Sequence, residues 1–134
     1  MVISILTDNY PGVSTRAEHG LSYLIEHDGV RLLFDTGQSS LFLENASMMG
    51  ADVVNIHMII LSHGHFDHGN GLEYLPGGKL LCHPGCFEKR YRASDHRYIG
   101  LKKSRTEIAE RFELITSEGP YQVSDRIIFL GEIP

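Results

Sequence analysis

The chain has 134 residues, 42% of them hydrophobic and 22% charged, with 12 basic and 17 acidic side chains and a net charge of −5. That length suits one small domain, able to bury roughly two-thirds of its unfolded surface, and the composition excludes a disordered or fibrous chain. The acidic balance argues against a general nucleic-acid surface, and the one basic run, Lys102, Lys103 and Arg105, reads as a solvated segment ahead of a helix. No stretch reaches the ~18 apolar residues of a membrane span. The first residues carry no basic region, apolar run and cleavage site of a signal peptide. The two cysteines, Cys82 and Cys86, make no disulfide framework. The expectation is a cytoplasmic protein with no membrane and no nucleic-acid partner.

In chain order, Val2–Thr7 is a β-branched strand, followed by a polar loop from Asp8 to His19 with a Pro11-Gly12 turn signal. Leu21–Glu26 and Val30–Phe34 are strands joined through His27-Asp28-Gly29, a hairpin pattern. Ser39 or Ser40 caps a helix to Met49, with Gly50 as its stop. His57–Leu61 is a short apolar run, expected as a buried strand. A short helix is expected over Gly71–Leu75, a strand over Lys79–Cys82, and a helix from Pro84 to about Tyr91. Ser104–Phe112 is a helix with the capping-box pair Ser104 and Glu107. Glu113–Thr116, Tyr121–Val123 and Arg126–Leu130 are short strands. Strands first, then strand–helix alternation, imply an α/β (α+β) domain over residues 1–134, a mixed sheet with helices on one face.

Three of the eight histidines and one aspartate fall in six residues, His63-Gly64-His65-Phe66-Asp67-His68. Imidazole and carboxylate suit zinc, iron or manganese. His63 and His65 leave a strand two apart, so both rings can point to one ion. Asp67 and His68 are adjacent and need a turn to reach a common ion; Gly64 and Gly69 give room for it. Cys82-His83-x-x-Cys86 offers three ligand side chains, one short of a structural zinc set.

This loop, preceded by Ile59-Ile60-Leu61-Ser62, resembles the H-x-H-x-D-H signature of the metallo-β-lactamase superfamily. Glu18-His19-Gly20-Leu21-Ser22, Leu33-Phe34-Asp35-Thr36-Gly37-Gln38, Ser62 to Gly71, His83-Pro84 and Gly131-Glu132-Ile133-Pro134 resemble its dihydropterin synthase and methyltransferase-like branch. The resemblance implies an αββα sandwich of two halves, of which this chain is the N-terminal one. It implies two divalent metal ions, zinc first and iron or manganese as alternatives. His63 and His65 would hold the first ion, Asp67 and His68 the second. Asp35 would orient ligands, so Asp35 and Asp67 are the candidate catalytic carboxylates. His19, and more weakly His83 at the end of its strand, would line a small-molecule substrate pocket. His96 sits in a polar loop and is expected to be exposed.

The family pattern also calls for ligands further along the chain than His68, where only His83 and His96 remain. The expectation is therefore a truncated domain, inactive alone, whose exposed apolar sheet face favours self-association. For the full protein the reading is a hydrolase in which two ions lower the pKa of a bound water to about 7, giving a hydroxide nucleophile. Alternatives are a pterin-related transferase or synthase, a di-iron redox module, and a non-catalytic assembly domain.

Overall fold

A computed structural model of the chain describes residues 1–51 and 53–132. Ile133 and Pro134, named in the resemblance above, lie outside the described residues. Six strands form one mixed sheet in the order β1 (Val2–Thr7), β2 (Ser22–His27), β3 (Val30–Phe34), β4 (Met58–Ile60), β5 (Gly78–Cys82), β6 (Phe112–Thr116). The first three strands are antiparallel, and β3 to β6 run parallel. The β2–β3 turn is Asp28-Gly29 with φ of 49° and 77°, the two positive values of a two-residue hairpin whose twist matches its strands.

Parallel strands need crossovers, and these supply the helices. Helix α1 (Leu41–Met49) links β3 to β4, and α2 (Phe66–Gly69) with a 3₁₀ turn (Asn70–Tyr74) links β4 to β5. A longer excursion ending in α3 (Arg105–Arg111) links β5 to β6. The Ser39 hydroxyl accepts from Leu41 N at the start of α1, and Gly50 ends it at φ 67°. In α3 both capping-box bonds form between Ser104 and Glu107. All of these elements lie on one face, where Phe42, Ala46, Leu72, Leu75, Leu101 and Ile108 pack on Leu24, Leu33, Ile59 and Leu80.

The opposite face carries Leu32, Met58, Ile60 and Leu81. A separate two-stranded ribbon, β7 (Tyr121–Ser124) and β8 (Ile127–Phe129), packs Tyr121, Val123, Ile127 and Phe129 against it. The last two expected strands thus leave the main sheet and cover part of the face expected to be bare. At the far edge, Ile3 and Ile5 on β1 remain 51% and 52% exposed. No helix among the described residues is long and apolar enough to cross a membrane.

The expected helix from Pro84 shrinks to a 3₁₀ turn, Pro84–Phe87. Arg90 stops it: its guanidinium donates to the carbonyls of Gly85 and Glu88, and its own carbonyl accepts from Ile99 N. The chain then forms a hairpin-like excursion in which Tyr91 pairs with Tyr98.

Asn45 ties α1 to the rest. Fully buried, it donates to the carbonyls of Leu6 and Arg16 and accepts from Arg16 N. Replacing it by alanine strands three backbone groups, so Asn45→Ala should cost about 2–3 kcal/mol in a denaturant melt. Ser104→Ala, which removes one exposed cap, should cost about 1 kcal/mol. Equal losses would contradict this assignment.

Candidate metal centre

The functional side chains gather beyond the carboxyl ends of the parallel strands, where open α/β sheets hold their ligands. Strand β3 ends into Asp35, β4 into Leu61, Ser62 and His63, and β5 into His83. Asp35 N donates to Ile60 O at 2.8 Å, which extends the β3–β4 ladder by one bond and fixes Asp35 beside Ser62. The Asp35 backbone is left-handed, with φ 57°, and its side chain is 0% exposed.

A buried carboxylate must be satisfied by donors. Asp35 Oδ1 accepts from Ser62 N at 2.7 Å. Its Oδ2 lies 2.6 Å from Ser62 Oγ and 2.7 Å from His68 Nδ1. Ser62 Oγ is also 2.8 Å from His63 Nδ1. These contacts assign the protons. Asp35 can only accept, so His68 carries its proton on Nδ1. The Ser62 hydroxyl spends its single proton on Asp35 and accepts from His63 Nδ1–H. Both imidazoles are thereby set in the tautomer that leaves Nε2 bare, the form a metal ligand needs.

The expected turn is the short helix α2. It follows His65, whose backbone is extended, and it turns Asp67 and His68 back toward His63. The rings of His63 and His65 lie 4.6 Å apart, and those of His63 and His68 4.2 Å. Asp67, 7% exposed, brings Oδ2 to 3.5 Å from His68 Nε2 and 3.2 Å from His19 Nε2. Donor atoms of Asp35, His63 and His68 all lie within 4.8 Å of one another. Asp35 is already committed to Ser62 and His68, so we read it as the residue that orients the ligands. Imidazole and carboxylate donors suit a divalent ion of the zinc, iron or manganese class, and the group that converges among the described residues is Asp35, His63 and His68, without His65 and Asp67.

The backbone around the loop is braced. Thr36 N and Oγ1 both donate to His68 O, at 2.8 and 3.1 Å. Gly64 is needed for a reason other than a special turn. A β-carbon there would sit 1.9 Å from the carbonyl oxygen of Cys86, so the loop rests directly on the turn after β5. Gly69 is similar, with a β-carbon position 2.4 Å from a Leu101 methyl.

Electrostatics separate the two rings nearest Asp35. Burial, then the neighbouring His68 and His65, hold the His63 pKa below the usual histidine value. Burial also pulls on His68, but the hydrogen bond to Asp35 and the charges of Asp35 and Asp67 outweigh it and raise its pKa. A metal taken up near neutral pH therefore displaces protons, chiefly from His68.

The outlying candidates fall in different places. His19 reaches the site: Asn9 Oδ1 holds its Nδ1 at 3.0 Å while its Nε2 meets Asp67. His83 accepts from Gly85 N at 3.0 Å, capping the 3₁₀ turn, and its Nε2 is buried without a hydrogen-bond partner among the described residues. His96 is exposed. Cys82 and Cys86 are free and buried in the core, where the hydrogen bond to Cys86 and burial push the Cys82 thiol up. Ser62 carries a positioning role that no local pattern announced; the hydroxyl adjoining the histidine motif was the one available signal.

The sequence profile of the metallo-β-lactamase superfamily matches residues 15–79. Over 99% of its length the chain is 36% identical to an uncharacterised protein of Methanocaldococcus jannaschii, covering 54% of that protein. Over 98% it is 32% identical to the 7,8-dihydropterin-6-methyl-4-(β-D-ribofuranosyl)-aminobenzene-5′-phosphate synthase of the same organism, covering 50% of it. A crystal structure of a metal-dependent hydrolase of the β-lactamase superfamily superposes with a TM-score of 0.82 at 31% identity, over 96% of this chain and 47% of that one. A quorum-quenching N-acyl homoserine lactone lactonase superposes at 0.60 with 23% identity, over 81% of this chain and 48% of that one, a likeness of fold. The chain spans about half the length of the curated relatives it matches.

Ser62→Ala removes the link between Asp35 and His63 while leaving all four candidate ligands. Zinc affinity measured by calorimetry should fall about tenfold or more, and Ser62→Thr, which keeps the hydroxyl, should recover most of it. Equal affinities in wild type and Ser62→Ala would remove the relay from the account.

Proposed function

Because this chain belongs to the metallo-β-lactamase superfamily, we propose that it carries the metal-binding loop of a metal-dependent hydrolase. The reading rests on one observation: Asp35 orients His63, through Ser62, and His68, and His68 turns its Nε2 to Asp67. Divalent ions held there, zinc first, would supply Lewis acidity and acidify a water molecule. The rest falls to this chain's own groups. His63, His65, Asp67 and His68 would bind. Asp35 would orient His63 and His68, and His19 would steady Asp67 from the substrate side. The substrate class is an ester, amide, thioester or phosphodiester. A second reading, a pterin-related synthase, is supported by the 32% identity to the dihydropterin phosphate synthase. With ligands expected beyond His68, little turnover is expected from these 134 residues alone. The exposed edge strand with Ile3 and Ile5 supports self-association, since unpaired strand edges template further pairing.

The chain should take up zinc or cobalt(II) as read by elemental analysis, and His63→Ala and Asp67→Ala should each abolish stoichiometric uptake. Uptake should weaken as the pH falls, first through His68, whose raised pKa lets protons compete earliest, because imidazolium cannot ligate. Unchanged uptake in both variants would rule out the metal-loop reading. Light scattering should give a mass above the monomer, and a strictly monomeric solution would refute the association.

A further inference from the structure

The strap of chain from Arg16 to Leu21 runs from helix α1 to the metal loop, and its one carboxylate, Glu18, has no part in the site described above. Glu18 is half-buried, and the turn that leads into α1 holds both of its oxygens. Oε1 accepts from Gln38 N at 3.1 Å, and Oε2 accepts from Ser39 Oγ at 2.5 Å. The Ser39 hydroxyl in turn accepts from Leu41 N, in the first residue of α1. The partial positive charge at a helix start favours an anion in that place. Behind Glu18, Asn45 on α1 holds both the N–H and the carbonyl of Arg16, and the Arg16 guanidinium pairs with Glu44. The strap is thus bolted to α1 at two successive points.

Past Glu18 the same strap lies on the metal loop. Gln38 Nε2 donates to His19 O at 2.8 Å, so the turn that grips Glu18 also fixes the next peptide. His19 Nε2 then lies 3.2 Å from Asp67 Oδ2, and Leu21 N donates to Asp67 O at 3.3 Å. Two glycines permit these approaches. A β-carbon at Gly37 would sit 2.6 Å from Glu18 Oε1, and one at Gly20 would sit 2.3 Å from Asp67 O. Both have positive φ, 67° and 145°, which other residues rarely adopt. Packing this close at both ends leaves the strap little slack, so the place of the Glu18 carboxylate sets where the His19 ring stands.

From this we infer that Glu18 is a positioning residue for the metal centre: anchored at the start of α1, it holds His19 against Asp67 and so fixes how the Asp67 carboxylate presents its oxygens. Glu18 acts through His19 and meets no ion or substrate itself. Its bearing on metal affinity rests on the metal-loop reading, whereas the link from Glu18 to His19 belongs to the metal-free chain. The His19 side chain is 69% exposed, and an imidazole that open to water would sample several rotamers if its backbone were free to shift. A Glu18 that merely capped α1 would cost stability when removed, with the His19 ring and Asp67 unmoved.

The test compares wild type with Glu18→Ala, Glu18→Gln, His19→Ala and the Glu18→Ala/His19→Ala double variant. In the metal-free chains, Glu18→Ala should shift the imidazole resonances of His19 while those of His27, at the far end of β2, stay in place. Cobalt(II) affinity by calorimetry should fall about tenfold in His19→Ala and about as far in Glu18→Ala, the scale for losing a ligand's hydrogen-bond partner. The double variant should bind no more weakly than His19→Ala, because both changes remove the same hold on Asp67. Glu18→Gln, which keeps the length and one acceptor, should recover part of the loss. Ser104→Ala, which weakens the fold at α3, should bind cobalt like wild type. If Glu18→Ala does not fold, Glu18→Gln and Ser39→Ala, which strips the hydroxyl from Oε2, carry the same comparisons. Unmoved His19 resonances, wild-type affinity in Glu18→Ala, or losses that multiply in the double variant each overturn the proposal. Failure of the metal-loop reading would show separately, as undiminished uptake in His63→Ala with the His19 resonances still shifted by Glu18→Ala.

Discussion

The structure turns on one buried carboxylate. Asp35 has no access to water and satisfies its charge with a backbone N–H, a hydroxyl and an imidazole, all beyond the ends of β3 and β4. An ionised group in that position is tolerable only with such donors. The donors exist only if β3 and β4 pair in parallel at their observed register, Leu33 with Ile59 and Phe34 with Ile60. A slip of one residue would point Asp35 to the opposite face and leave the charge buried without partners. The same interaction that penalises a wrong register therefore also fixes the rings of His63 and His68.

Local signals were legible in the sequence. The bounds of β1 and β3, the hairpin at Asp28-Gly29, the Gly50 stop and the Ser104–Glu107 capping box each depend on a few neighbouring residues. So was the H-x-H-x-D-H loop, a dense run of ligand types, and Asp35 followed from family resemblance. What escaped acts through space. The helix expected from Pro84 fails because Arg90 bonds to carbonyls of the preceding turn and pairs with Ile99. The last two strands form their own ribbon because their apolar side chains find the second face of the sheet. Gly64 was expected to ease a turn, but its role is clearance from the carbonyl of Cys86, 22 residues further along the chain.

The basic excursion shows the same limit from another side. Read linearly, Lys102, Lys103 and Arg105 are one short run before a helix. In the fold that run joins Lys89, Arg90, Arg92 and Arg97 on a segment laid against the metal loop. Ion pairs with Asp95, Glu73 and Glu107 quench part of its charge.

The left-handed backbone at Asp35 carries a consequence for how this fold can change. A non-glycine residue in that conformation is disfavoured by about 1–2 kcal/mol, less for aspartate than for most side chains. Glycine there would relax the chain but would leave Ser62 and His68 without their acceptor. Selection for stability alone thus pulls this position away from the residue that the site requires. Aspartate at the end of β3 is a local compromise between a relaxed strand end and a prepared pair of histidines, the kind of trade-off that separates a scaffold from a working site.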